Sequence, residues 1–98
     1  MPDDRAELEA GDKILLIIED DPNFAKIVFD YAHQQGFKGL VAGAGQTGLE
    51  LVKTYQPTAI VLDLRLPDIS GWEVLQLLKQ DPDTRHIPVH IMSADTET

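Results

Sequence analysis

Cysteine is absent from this 98-residue chain, which removes both a disulfide framework and any thiolate zinc site. Basic residues are scarce: 8 Lys and Arg stand against 17 Asp and Glu, for a formal net charge of -9. Phosphate neutralisation needs clustered Lys and Arg, so nucleic-acid binding by this domain is not expected. No apolar run is long enough to span a bilayer, and the N-terminus is acidic where a signal peptide is basic. The expectation is a soluble, cytoplasmic protein with no membrane partner. Internal repeats and low-complexity tracts are missing too. What remains is a chain with 43% hydrophobic residues, enough for one small domain around a single core.

The acidity is uneven. "MPDDRAELEAGD" (residues 1–12) holds five acids and one Arg, and reads as a solvated leader or linker ahead of a domain at 13–98. "KILLII" (Lys13–Ile18) is a short β-branched run suited to a strand buried on both faces. Pro22 to Gln35 follows, with Phe24, Ile27, Val28, Tyr31 and Ala32 in one helical stripe. Asp21 and Pro22 are its start signal and Gly36 its stop. "GLVAG" (Gly39–Gly43) is a weaker strand, and Gln46 to Tyr55 a helix with Leu49, Val52 and Tyr55 on one face. "TAIVL" (Thr58–Leu62) is a central strand that runs into Asp63. A loop, "DLRLPDISG", leads to a helix from Trp72 to Gln80, and "PVHIM" (Pro88–Met92) is a fourth strand. Strands alternating with helices imply right-handed crossovers and a parallel sheet with helices on both faces.

Ligands of such sheets bind beyond the carboxyl ends of the strands, where strand order reverses. The first strand ends at Glu19 and Asp20 and the third at Asp63. If those strands are neighbours, three carboxylates converge. Like charges that close are unfavourable unless something positive compensates, and an all-oxygen donor set suits Mg²⁺. The competing reading of "EDDP" is an acid-rich helix start favoured by the helix dipole. Asp63 favours the metal site, because it closes an apolar strand and is not needed as a cap.

"LLIIEDDP", "IVLDLRLPDISGWEVL" and "PVHIMSA" together resemble a response-regulator receiver domain of two-component signalling, from about Lys13 to Asp95. The resemblance implies a flavodoxin-like, doubly wound parallel sheet with strand order 2-1-3-4, continued in the family by a fifth strand. It implies that Asp63 is the phosphoacceptor, taking a phosphoryl group from a phosphohistidine on a sensor histidine kinase or phosphotransfer domain. Asp20 would ligate Mg²⁺ directly, Glu19 through a water, and Arg65 through its backbone carbonyl. Ser93 would donate its hydroxyl to a phosphoryl oxygen, and Pro67 and Gly71 would shape the loop after Asp63. Such a module is a switch rather than a stand-alone enzyme. Arg65 and Asp95 would flank the pocket mouth, where an ion pair could obstruct hydrolytic water.

Receivers also use a Lys at the end of the fifth strand. The 98 residues stop soon after Ser93, so the reading is of a receiver incomplete at its C-terminus, with three expectations open: a homodimer through the exposed fourth-strand edge or the exposed sheet face, an exchange of elements with a neighbour, or membership of a longer chain. Glu19 stands where Asp is commoner in the family. "GAGQTG" (Gly43–Gly48) spells G-x-G-x-x-G, but it follows a weak strand instead of the first strand of a dinucleotide unit. His33, His86 and His90 have no ligand spacing, and Trp72 reads as core or helix-face packing. Two further functions stay open: a receiver-like interaction module that is not phosphorylated, and the receiver segment of a hybrid histidine kinase. A nucleotide-binding fragment is a weaker third.

Overall fold

Strand β1 (Ile14–Ile18) is apolar at every position, and its last three residues are buried. It lies inside a four-stranded, all-parallel sheet of order β2-β1-β3-β4, in a computed structural model that describes residues 2–92. The other strands are β2 (Lys38–Ala42), β3 (Ala59–Asp63) and β4 (Val89–Met92); the helices are α1 (Pro22–Gln34), α2 (Gly45–Tyr55) and α3 (Gly71–Gln80). The expected alternation and strand order are both observed, with element bounds within about a residue of the sequence pattern. The order reverses between β1 and β3, since β2 flanks β1 on one side and β3 on the other.

Strand side chains alternate between faces, and this divides the core. Leu16, Ile18, Leu40, Ala42, Ile60 and Leu62 form one buried cluster with Leu51 and Val52 of α2 and Val74 and Leu78 of α3. The opposite face carries Ile17 and takes α1. There Phe29 lies so close to Gly39 of β2 that an added Cβ would meet its ring at 2.6 Å.

Helix α1 begins as the sequence signals: the Asp21 carboxylate accepts the Asn23 amide at 3.0 Å and Pro22 opens the first turn. It ends at Gly36 in the left-handed region (φ 85°), with the Phe37 amide donating back to the Ala32 carbonyl at 2.9 Å. Its inward face differs from the expected stripe. Ala25 and Ala32 are buried, whereas Ile27 and Tyr31 are 63% and 60% exposed. The close approach of Phe29 to Gly39 selects the Ala25, Phe29, Ala32 stripe and turns Ile27 and Tyr31 outward. Trp72 is corrected in the same way: it is 60% exposed, because Gly71, Val74 and Leu78 form the buried face of α3.

Residues 2–12, expected to be a solvated tail, lie along the outer edge of β2. The Asp4 amide donates to the Gly39 carbonyl at 3.0 Å. The Asp4 carboxylate accepts the Gly39 amide at 2.7 Å and lies 2.6 Å from His33 Nε2. Asp3 accepts the Val41 amide at 2.8 Å. Two carboxylates thus take the place of a neighbouring strand's carbonyls on the free amides of β2, and Asp4 is buried by doing so.

Candidate functional site

Strands β1 and β3 are paired in register, Ile18 opposite Leu62. The next position on each strand is Glu19 and Asp63, so the side-by-side pairing that buries the apolar residues also delivers two carboxylates to one sheet edge. The chain leaving β1 stays pinned there, because the Glu19 amide donates to the Ala42 carbonyl of β2 at 2.9 Å. Asp20 follows directly and joins them. One carboxylate oxygen from each of Glu19, Asp20 and Asp63 lies within 4.8 Å of the others. Glu19 and Asp63 are only 4% and 6% exposed, while Asp20 faces solvent.

Glu19 bears the strain of this arrangement. Its Oε2 accepts the Asp21 amide at 3.0 Å, while its Oε1 is buried with no hydrogen-bond partner among the described residues. Burial pushes its carboxyl up to about 7; the Asp21 amide opposes the shift, and the neighbouring Asp63 and Asp20 carboxylates add to it. A buried acceptor left unpaired costs the desolvation of that group. A hard divalent cation among three carboxylates would satisfy the orphaned oxygen and offset the repulsion, so the donor set fits Mg²⁺. A groove of about 480 Å³ lies elsewhere, between α2 and α3, lined by Leu49, Lys53, Leu77 and Asp81 among others. It holds none of the three carboxylates.

The loop after Asp63 is anchored at its base. The Gly71 amide donates to the Leu64 carbonyl at 3.0 Å, and a Cβ on Gly71 would lie 2.3 Å from the Asp63 carbonyl oxygen. Only glycine permits this approach, which sets the end of β3 against the start of α3. Ser70 caps α3 by accepting the Glu73 amide at 3.2 Å, a pairing that Ser-x-x-Glu announces in the sequence. Arg65 is exposed on the loop. Ser93 and Asp95 lie outside the described residues. His90 is exposed on β4. Two glycines of "GAGQTG" serve packing: Gly48 of α2 sits against Ile18, and Gly45 against Ile69, while Gly43 faces open space.

One residue escaped the sequence reading. Asp68 accepts the Gly45 and Gln46 amides of α2, each at 2.8 Å, one on each carboxylate oxygen. These bonds hold its carboxyl below the usual carboxylate range. No local spacing signals a cap supplied from more than twenty residues away.

Residues 15–98 match the family described as response regulator receiver domain. The chain belongs to that family. It is 34% identical over 82 residues to the polar-differentiation response regulator DivK of Brucella ovis, covering 84% of this chain and 67% of the relative. Among solved structures it resembles the N-terminal domain of a response regulator receiver protein from Methanoculleus marisnigri, with 29% identity, a TM-score of 0.80, and coverage of 87% of this chain and 69% of that one. It also resembles the Mn²⁺-bound form of response regulator Rcp1, with 26% identity, a TM-score of 0.77, and coverage of 87% and 68%. This receiver domain is a module of two-component signalling, a process in which receivers meet sensor kinases and phosphotransfer partners. No helix among its described residues is long and apolar enough to cross a membrane.

Proposed function

We propose that this receiver is a phosphoaccepting switch in which Asp63 takes the phosphoryl group and the altered surface is the output. The observation that carries the reading is the convergence of Glu19, Asp20 and Asp63 within 4.8 Å at the carboxyl ends of β1 and β3. An Asp63 oxygen attacks the phosphorus of a phosphohistidine on a sensor histidine kinase or phosphotransfer domain. The phosphorus–nitrogen bond breaks, and its electron pair returns to the imidazole. A carboxylate needs no separate base for this, so positioning and charge neutralisation dominate the catalysis. Glu19, Asp20, Asp63 and the backbone carbonyl of Arg65 would hold Mg²⁺, which supplies the positive charge that the phosphoryl oxygens require. The Mn²⁺-bound relative supports a divalent ion in this role. The order of the chain puts Ser93 just past β4, where its hydroxyl is read as donating to a phosphoryl oxygen. The module is read as cytoplasmic, with a second copy of the chain as a further partner at the β4 edge.

Incubation with Mg²⁺ and acetyl phosphate, followed by intact mass measurement, tests the reading. One added phosphoryl mass is expected, lost in Asp63→Ala and on chelation. A folded protein that stays unlabelled with both reagents present would favour an interaction module that does not use phosphorylation.

A further inference from the structure

We propose that Asp68 is a positioning residue for the metal site, holding the loop that carries Arg65 by fastening it to α2. The inference rests on the metal reading given above. Helix α2 has Ala44 at its N-cap, and no side chain at that position accepts a hydrogen bond. Alanine is a poor cap, and the first amides of a helix need acceptors. Asp68 supplies both from the neighbouring loop, with its two oxygens on two successive amides. The helix gains its cap, and in exchange the loop gains a fixed tip.

The loop from Leu64 to Ser70 is thereby fastened at both ends. Its base is closed by the Gly71 amide on the Leu64 carbonyl and by the backbone contact between Gly71 and Asp63. Its tip is tied by Asp68, and next to it Ile69 packs on Gly45 so closely that an added Cβ would lie 2.6 Å from Ile69 Cγ1. Only Arg65, Leu66 and Pro67 lie between the two anchors. Pro67 has a ring-fixed φ, and Leu66 packs partly against the core. The Arg65 carbonyl therefore has little freedom while Asp68 is bonded. Mg²⁺ demands near-ideal octahedral geometry, and a supporting shell must hold ligands to about 0.5 Å. Release of the tip would loosen this one ligand and leave the three carboxylates in place.

The test is a Mg²⁺ titration of the full chain, read by the fluorescence of Trp72, its single tryptophan, and by the Mg²⁺-induced rise in Tm. Asp68→Ala should weaken Mg²⁺ binding by about tenfold, as loss of an outer-shell support does. Asp68→Asn keeps one acceptor oxygen and should fall between Asp68→Ala and the native chain. Thr84→Ala is the structural control: it breaks the buried bond from Thr84 Oγ1 to the Leu78 carbonyl. It should lower Tm by the same amount with and without Mg²⁺. Asp68 variants that behave like this control, with lowered Tm but native Mg²⁺ affinity, would overturn the proposal and leave Asp68 a plain helix cap. If Asp68→Ala does not fold, Asp68→Asn decides the matter alone. A native chain that ignores Mg²⁺ as fully as Asp20→Asn does would overturn the metal reading first, and this inference with it.

Discussion

At the scale of single residues, the metal-free site has a definite pH signature. The Glu19 carboxyl is pushed from 4.5 up to about 7 in the folded chain, first by burial and then by its acidic neighbours. Below the unfolded value both states hold the proton, and the Glu19 contribution is fully present. As pH rises through the folded value, the native state must ionise a buried acid and that contribution is lost. In EDTA, Tm should therefore fall between about pH 4.5 and pH 7 and level off above that. Mg²⁺ should flatten the decline by stabilising the ionised carboxylate, and Glu19→Gln should remove most of it. An equally steep decline in Glu19→Gln would show that another group is responsible. Gly71 gives a second residue-scale prediction. An added methyl would lie 2.3 Å from the Asp63 carbonyl oxygen, so backbone must shift, and Gly71→Ala should cost about 1–3 kcal/mol in urea unfolding. The acids of this site were legible because they end apolar strands, where a charged residue demands an explanation. Asp68 was not, because its partners are on another element and only the folded chain brings them together.

Among the elements, the sequence pattern located helices more surely than it oriented them. Helix α1 offers two overlapping stripes of 3.6-residue period, one through Ile27 and Tyr31 and one through Ala25, Phe29 and Ala32. Periodicity favours the larger side chains; packing favours the smaller ones, because alanine and Gly39 let helix and sheet approach closely. Trp72 was misread for the same reason, since Gly71 takes the buried position next to it. The cap of α3, Ser70 on the Glu73 amide, was passed over when Ser70 was placed in the loop, and Ser70→Ala should lower stability by about 1 kcal/mol. The leader was misjudged by composition alone. Its acids look like a solvated run, yet Asp3 and Asp4 bond backbone amides of β2. Asp4→Ala would leave the Gly39 amide without that acceptor, at a cost of about 1–3 kcal/mol. Hydrogen exchange should quicken at Gly39 while β1 stays protected. Unchanged exchange at Gly39 would mean that the leader contributes no edge protection.

For the molecule as a whole, the two sheet edges are unequal. The β2 edge is covered by the leader, whose carboxylates and backbone occupy its hydrogen-bonding groups. The β4 edge pairs with no further strand among the described residues. Cover over its face is also thin: Ile91 is in register with Leu62, yet it is 40% exposed where Leu62 is fully buried. Natural edges are usually defended by lysine, proline or a bulge. "VHIM" contains neither lysine nor proline, and Pro88 stands just ahead of it. A domain of this size holds only about 5–15 kcal/mol of stability, so burial of an exposed isoleucine and several free backbone groups weighs appreciably in the balance. We therefore expect the 98-residue chain to self-associate through β4 at low micromolar concentration, as seen by sedimentation equilibrium. Ile91→Lys should shift it toward monomer by placing a charge on the contact, whereas Tyr31→Lys, on the outward face of α1, should not. A compact monomer that unfolds cooperatively at those concentrations would show that the open edge and the bare isoleucine are too small a surface to recruit a second copy.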